Sequence, residues 1–161
     1  MSAARRAATV GLLAAVTLVL SYVEHLIPMS VAIPGIKPGF ANIGVLVTLY
    51  TLGGGYAALV SLIRVLLAGL LFASFSGVLY SLAGATAALL VMLLLHRAKV
   101  FGAVGVSVGG AAAHIFGQLA VAACLMGGVV FGYAPWMTLA AVATGGANGV
   151  VAALVVRALP R

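Results

Sequence analysis

Arg64 is the strongest candidate for a functional residue, because it lies near the middle of an apolar stretch long enough to enter a membrane. A charged group at that depth costs at least about 2.5–3.5 kcal/mol on insertion scales, so a partner must compensate it. Glu24 is the only acidic residue in the chain. From the helical rise, we expect these two residues to differ in depth by roughly 10 Å, so an ion pair would be strained. Backbone carbonyls, water in a cavity and the anionic group of a ligand are the alternatives.

Other polar residues recur within apolar stretches. His114 and Gln118 are four residues apart, so they share one face of a predicted helix. Asn42 begins another predicted helix, and Asn148 lies within the last one. Each residue alone is typical of a hydrogen bond between membrane helices. Taken with Arg64, they predict a substrate-binding cavity that opens to the outside, and Arg64→Leu should abolish binding.

Hydroxyl groups and one lysine extend this prediction toward the outer side. Ser76 and Tyr80 lie in residues 74–84, where the start of a helix could meet an anion. Lys37 lies in residues 28–39, a segment rich in proline and glycine. That segment is either a simple connector or an ordered lid that brings Lys37 to the anion. We include Ser76, Tyr80, Lys37 and Glu24 among the candidate binding residues.

Several classes of chemistry are excluded or disfavoured by the sequence. Paired-carboxylate catalysis and carboxylate-held magnesium need more acids than this chain has. The G-x-x-x-x-G-K-[ST], G-x-S-x-G and H-E-x-x-H motifs are absent. Glu24 and His25 are adjacent, so on a helix they diverge by about 100° and make a poor metal site. We therefore expect no catalytic residue, no metal and no cofactor.

Composition indicates that lipid is the main solvent of this protein. Of its 161 residues, 65% are hydrophobic and 6% are charged, against about 25% charged residues in a soluble domain. The net charge of +7 comes from basic residues at the ends of apolar stretches. Membrane topology explains that arrangement better than nucleic-acid binding does. We expect residues 1–161 to form one integral membrane domain, in contact with lipid and without a nucleic-acid partner.

The apolar stretches predict an all-α bundle of six transmembrane helices, at 6–26, 40–53, 56–73, 77–96, 101–127 and 136–157. The second and third are short for a bilayer of about 30 Å, so they are either tilted or partly re-entrant. Six spans with cytoplasmic termini leave only Lys37 outside, as the positive-inside rule favours. Small-residue pairs at Gly105/Gly109, Gly128/Gly132 and Gly145/Gly149 predict close helix packing or backbone near a ligand.

The sequence resembles the Gx transporter family, also labelled heptaprenyl diphosphate synthase component I. Pro-Gly-Ile-Lys at 34–37 and Arg-Val-Leu-Leu-Ala-Gly at 64–69 are its most specific segments. The resemblance extends over residues 21–24, 33–43, 64–72, 79–84, 105–108 and 114–118. That family is similar to the S components of energy-coupling-factor importers, which are six-helix proteins that bind vitamins from outside.

The resemblance implies a multi-pass protein of a bacterial cytoplasmic membrane, with a transmembrane coupling protein and ATPase subunits as partners. In S components an Ala-xxx-Ala pattern on the first helix contacts the coupling protein, and Ala3/Ala7, Ala4/Ala8 and Gly11/Ala15 fit it. The synthase label implies a different role, as a non-catalytic membrane subunit of heptaprenyl diphosphate synthase. Without aspartate, this chain cannot supply the aspartate-rich motifs that hold magnesium diphosphate in prenyltransferases.

Overall fold

The chain folds into helices that follow its apolar stretches. A computed structural model describes residues 2–26, 39–72 and 74–159, and no strand occurs in these ranges. The predicted all-α fold is therefore confirmed. The largest difference from a predicted helix end is at the first helix, which begins at residue 3 instead of 6. The helices are α1 (Ala3–Leu26), α2 (Asn42–Thr51), α3 (Gly54–Phe72), α4 (Phe75–Ala98), α5 (Ala103–Met126), a 3-10 helix (Gly128–Tyr133) and α6 (Ala134–Ala158).

Five of these helices, α1, α3, α4, α5 and α6, are long and apolar enough to cross a bilayer. The protein is therefore a multi-pass membrane protein. The short α2 has 10 residues, so it extends for only about 15 Å, half the thickness of a hydrocarbon core. Of the two helices expected to be short, α3 is long enough to span and α2 is not.

The short helix α2 lies at the centre of the bundle, where it contacts α1, α3, α5 and α6. Leu46 and Leu49 are almost fully buried. They belong to an apolar core that also contains Met92 of α4, Val106 of α5 and Ala152 of α6. Burial on all sides explains why α2 is apolar around its whole circumference.

Contacts at both ends show that α1 and α3 run parallel. Near their starts, Arg6 Nη1 donates a hydrogen bond of 3.5 Å to the Tyr56 hydroxyl. Near their ends, the rings of Tyr22 and Phe72 lie 4.9 Å apart. The chain must therefore return through the bundle between α1 and α3, and α2 accounts for part of that return.

Basic residues gather at one end of the bundle. Tyr50, near the end of α2, contacts the ring of His96, near the end of α4, with centroids 4.6 Å apart. The start of α3 and the ends of α2 and α4 are therefore at the end where α1 begins. The basic residues at this end are Arg5, Arg6, Arg97, Lys99 and Arg157. At the opposite end, the described residues include no lysine or arginine.

The glycines of α6 let it approach α5 closely. A Cβ atom at Gly149 would lie 2.7 Å from the Cα atom of Val104, and one at Gly145 would lie 3.1 Å from the Cα atom of Val108. Real Cβ atoms do not approach backbone at the first of these distances. The packing interpretation is therefore confirmed for the Gly145/Gly149 pair.

The other two small-residue pairs differ. Gly109 packs against Leu95 of α4, whereas a Cβ at Gly105 would meet only Phe101, just before its own helix. A Cβ at Gly128 or Gly132 would meet nothing within 4 Å. These two glycines lie in the 3-10 helix, so the prediction of close packing there is wrong.

Candidate functional site

Arg64 is a buried cation whose hydrogen-bonding capacity is not met. It lies near the middle of α3, and only 5% of its surface is exposed. Its Nε and Nη2 atoms are buried and make no hydrogen bond to any atom of the described chain. Leaving a buried donor without an acceptor costs about 1–3 kcal/mol, and more for a charged group. Arg64 is therefore costly for the fold as it stands.

Glu24 attracts Arg64 from a distance. Its carboxylate is buried and acts electrostatically on the guanidinium. The contact between Tyr22 and Phe72 sets the relative height of α1 and α3. From that height, the two Cα atoms differ in depth by roughly ten residues, or about 15 Å. The separation exceeds the predicted 10 Å, which explains why Nε and Nη2 of Arg64 donate no hydrogen bond to this carboxylate.

His114 and Gln118 lie on one face of α5, as their spacing predicts, and the structure packs that face against α4. Both contact α4 at Gly84: a Cβ there would lie 2.9 Å from Nε2 of His114 and 3.0 Å from Cγ of Gln118. The imidazole of His114 has an interaction partner. The amide of Gln118 is different, because Nε2 and Oε1 are both buried without a hydrogen bond within the described ranges.

Arg64 and Gln118 lie at about the same depth. Gly69 of α3 faces Val78 of α4, where a Cβ would approach the Val78 side chain at 2.8 Å. The two helices are antiparallel, so positions equally far from this contact, forward along α4 and backward along α3, lie at the same depth. Six residues forward from Val78 is Gly84, and six residues back from Gly69 is the residue next to Arg64. Since Gly84 contacts Gln118, the two unsatisfied side chains belong to one level of the bundle. We call Arg64, His114 and Gln118 the central polar layer.

Asn42 and Asn148 come together at the start of α2. Asn148 Nδ2 donates a hydrogen bond of 3.0 Å to the carbonyl oxygen of Gly39. The backbone N–H of Asn42 donates to the same oxygen at 2.9 Å. Gly39 has φ +84°, a conformation that favours glycine.

The position of Gly39 shows that α2 begins inside the bundle. Its partner Asn148 lies near the middle of α6, so non-helical backbone at Gly39 reaches membrane depth. Such backbone is tolerated only where protein buries it or where it lines a water-filled cavity. The sequence predicted Asn42 and Asn148 as polar residues but not this contact, which joins positions far apart in the chain.

The remaining candidates lie elsewhere. Ser76 is exposed, and its hydroxyl is 3.2 Å from that of Ser74 at the start of α4. Tyr80 is buried in an apolar cluster with Ile115 and Met137. Lys37 and the rest of the predicted lid up to residue 38 lie outside the described residues. The structure thus brings His114 and Gln118 together and, separately, Asn42 and Asn148.

Sequence reasoning missed two buried residues near the candidate site, Gly84 and Ser61. The side chains of His114 and Gln118 pack against Gly84, where a larger residue would leave them less room. A glycine in a helix rich in small residues carries no signal of that role. Ser61 is buried one turn before Arg64 on the same face of α3, and its spacing of three residues was the available signal. No cluster of three metal-ligating side chains occurs in the described parts of the chain.

The sequence profile of one protein family matches most of the chain. That family is described as heptaprenyl diphosphate synthase component I, and the match covers residues 13–155. The chain belongs to this family. The matched range includes Glu24, Asn42, Asn148 and the whole central polar layer of this component I protein. No curated protein and no solved structure matches the chain.

Proposed function

We propose that this component I protein is the membrane substrate-binding subunit of an energy-coupling-factor-type importer. It captures a small anionic or vitamin-like compound from outside, and partner ATPases power the uptake. The observation that carries this proposal is Arg64, a guanidinium buried at mid-membrane with two nitrogen atoms that find no acceptor among the described residues.

An anionic group is the partner that best fits Arg64. Its planar guanidinium presents donors in a fork that matches a carboxylate or phosphate. The chain has one acidic side chain, and that side chain is too far along α1 to accept from Nε and Nη2. Charged residues inside membrane spans are expensive and are usually kept for a substrate or ion.

The orientation follows from the charged end of the bundle. The positive-inside rule puts Arg5, Arg6, Arg97, Lys99 and Arg157 in the cytoplasm. Both termini are then cytoplasmic, in a bacterial cytoplasmic membrane, and α2 belongs to the sixth crossing. Since α2 points its first residue toward the outer side, its positive dipole end adds to the attraction for an anion.

The outer surface of α1 suits a membrane partner. Ala3, Ala7, Gly11 and Ala15 are exposed along this helix, and a Cβ at Gly11 would meet nothing within 4 Å. Small residues let another helix approach closely in lipid. This surface is where we place the coupling protein, which would link the subunit to its ATPases.

A second candidate function is favoured by the family description. The protein would then be a non-catalytic membrane subunit of a heptaprenyl diphosphate synthase, and a soluble partner would hold the magnesium diphosphate. Here Arg64 would bind the anionic end of a prenyl compound instead of an imported substrate. In both functions we propose that this chain is not itself an enzyme.

Co-purification and native mass spectrometry test the proposal. The full chain is isolated from its native membrane in mild detergent, as wild type, Arg64→Leu and Arg157→Leu. The last variant is a matched control, because it removes the same charge at the exposed end of α6. We expect a coupling protein and ATPases to co-purify with the chain, and a small molecule to be retained by wild type and Arg157→Leu only.

Other outcomes separate the two functions. A soluble prenyltransferase in place of the ATPases would favour the synthase role. Equal retention of the small molecule by Arg64→Leu, or no retained molecule and no ATPase partner, would contradict the importer.

A further inference from the structure

The central polar layer contains a second unsatisfied group besides Arg64, and the two together define a class of compound. Resting on the proposed importer function, we infer that the bound compound carries an ionised acidic group and, apart from it, a planar amide-type edge. Such an edge offers an N–H donor beside a C=O acceptor, as in a lactam or a cyclic imide.

Gln118 carries the second half of this inference. Its side chain is 3% exposed, and both its donor Nε2 and its acceptor Oε1 are buried without a hydrogen bond in the described ranges. A carboxamide presents this donor and acceptor side by side in one plane. A hydroxyl group or an isolated carbonyl could not pair with both atoms through two parallel hydrogen bonds, whereas a lactam or cyclic imide does.

The position of the amide is fixed by its surroundings. The Cγ atom of Gln118 packs against α4 at Gly84, and the imidazole of His114 occupies the neighbouring space on the same glycine. Little room remains for the stem of Gln118 to turn away. A site built to hydrogen-bond a particular group rejects analogues that lack it, because its own polar atoms then stay unpaired.

The two groups lie on opposite flanks of α4. Arg64 belongs to α3 and Gln118 to α5, and both helices pack against α4. Each packed pair of helices lies about 8–10 Å apart, so the axes of α3 and α5 are up to about 20 Å apart. The long side chains of Arg64 and Gln118 extend into this distance, and a compound of one or two rings suits the gap between their ends. Their common depth means that the compound lies across the bundle and not along it.

Access requires the bundle to open. The unsatisfied atoms of Arg64 and Gln118 are shut off from solvent, so the compound reaches them only when the helices around the layer separate. Binding then supplies the hydrogen-bond partners that the described residues do not give to Arg64 and Gln118.

Three small probes of similar ring size test the inference on the full chain in detergent. Benzoate has only an acidic group, uracil has only a cyclic imide edge, and orotate has both. Equilibrium dialysis gives the affinity of each probe for wild type, Gln118→Met and Arg64→Leu. Thr48→Val serves as control, since it also replaces a buried polar side chain by an apolar one of similar volume.

We expect orotate to bind wild type at least about 10-fold more tightly than benzoate or uracil, since each removed group leaves a buried partner unpaired. Gln118→Met should reduce orotate to the affinity of benzoate without changing benzoate. Arg64→Leu should reduce orotate to the affinity of uracil, and Thr48→Val should change none of them.

Three results would overturn the inference. The first is that orotate binds wild type no more tightly than benzoate, and the second is that orotate keeps its advantage over benzoate in Gln118→Met. Either result would exclude the amide edge but leave an Arg64-dependent importer intact. The third is that no probe binds to wild type. The native mass spectra of wild type and Arg64→Leu then decide separately whether the importer function fails too.

Discussion

Two kinds of buried polar side chain coexist in this bundle, and they are satisfied differently. Thr17, Ser21 and Thr48 are almost fully buried. Each hydroxyl donates to a carbonyl oxygen four residues earlier on its own helix, at 2.6 Å for Thr17, 3.1 Å for Ser21 and 2.7 Å for Thr48. A helix can satisfy a hydroxyl in this way without help from any other element.

The central polar layer behaves in the opposite way. Arg64 and Gln118 are also buried, yet two atoms of each side chain have no partner in the described chain. The N–H donors of a guanidinium and the donor and acceptor of an amide lie at the ends of long side chains. They are too far from the backbone of their own helix to form hydrogen bonds with it. The hydroxyls therefore cost the fold little, whereas the layer lowers stability in a manner typical of binding sites.

The largest expected effect is on ligand affinity, from a substitution that keeps the positive charge at position 64 but removes the planar guanidinium with its paired N–H donors. Arg64→Lys retains a cation but loses the planar pair of donors. A hydrogen bond to a charged group is worth about 1.5–3 kcal/mol, so the affinity for orotate should fall roughly 10- to 100-fold. Equilibrium dialysis measures it. An unchanged affinity would show that Arg64 acts only as a point charge.

Next in size is a change at the packed contact between α5 and α6. Gly149→Val should lower the free energy of unfolding by about 1–3 kcal/mol, because the added side chain meets the backbone of Val104. Gly146→Val is the matched control, since a Cβ there meets nothing within 4 Å. Unfolding in mixed micelles measures both. Equal effects of the two variants would contradict the close approach.

Gly84→Ala should affect binding more than stability. The atoms nearest to the new methyl group would be side-chain atoms, Nε2 and Cδ2 of His114 and Cγ in the stem of Gln118. We expect the free energy of unfolding to fall by about 1 kcal/mol, at the low end for overpacking. The affinity for orotate should fall clearly, and the affinity for benzoate should not change. Gly11→Ala, at an open position of α1, controls for adding a methyl group to a helix. If benzoate and orotate weakened equally, Gly84 would not act through Gln118.

Thr48→Val should have the smallest effect. Its hydroxyl donates to the carbonyl oxygen of Gly44, which keeps a helical N–H donor in the variant. The loss should therefore be no more than about 0.5–1.5 kcal/mol, the net contribution of one hydrogen bond. Chemical unfolding and dialysis with orotate both check this. A loss of affinity as large as that of the Arg64 variants would erase the distinction between the two kinds of buried polar group.

The sequence predicted the helices well because glycine, proline or charged residues separate each apolar stretch from the next. It also predicted that Arg64 is buried at depth and that His114 and Gln118 share a face, since both follow from position along a helix. The contact of Asn148 with Gly39 and the seat at Gly84 depend on which helices are neighbours. No local pattern contains that information.

The most direct measurement of the central claim is the free energy of unfolding of unliganded Arg64→Leu relative to wild type, in the same bicelles. An arginine that is kept for a ligand and is unsatisfied without one makes the closed protein less stable. We therefore predict that Arg64→Leu is as stable as wild type or more stable, by about 1–3 kcal/mol. A loss of several kcal/mol would contradict the account, because it would show that Arg64 holds the bundle together through its attraction to Glu24.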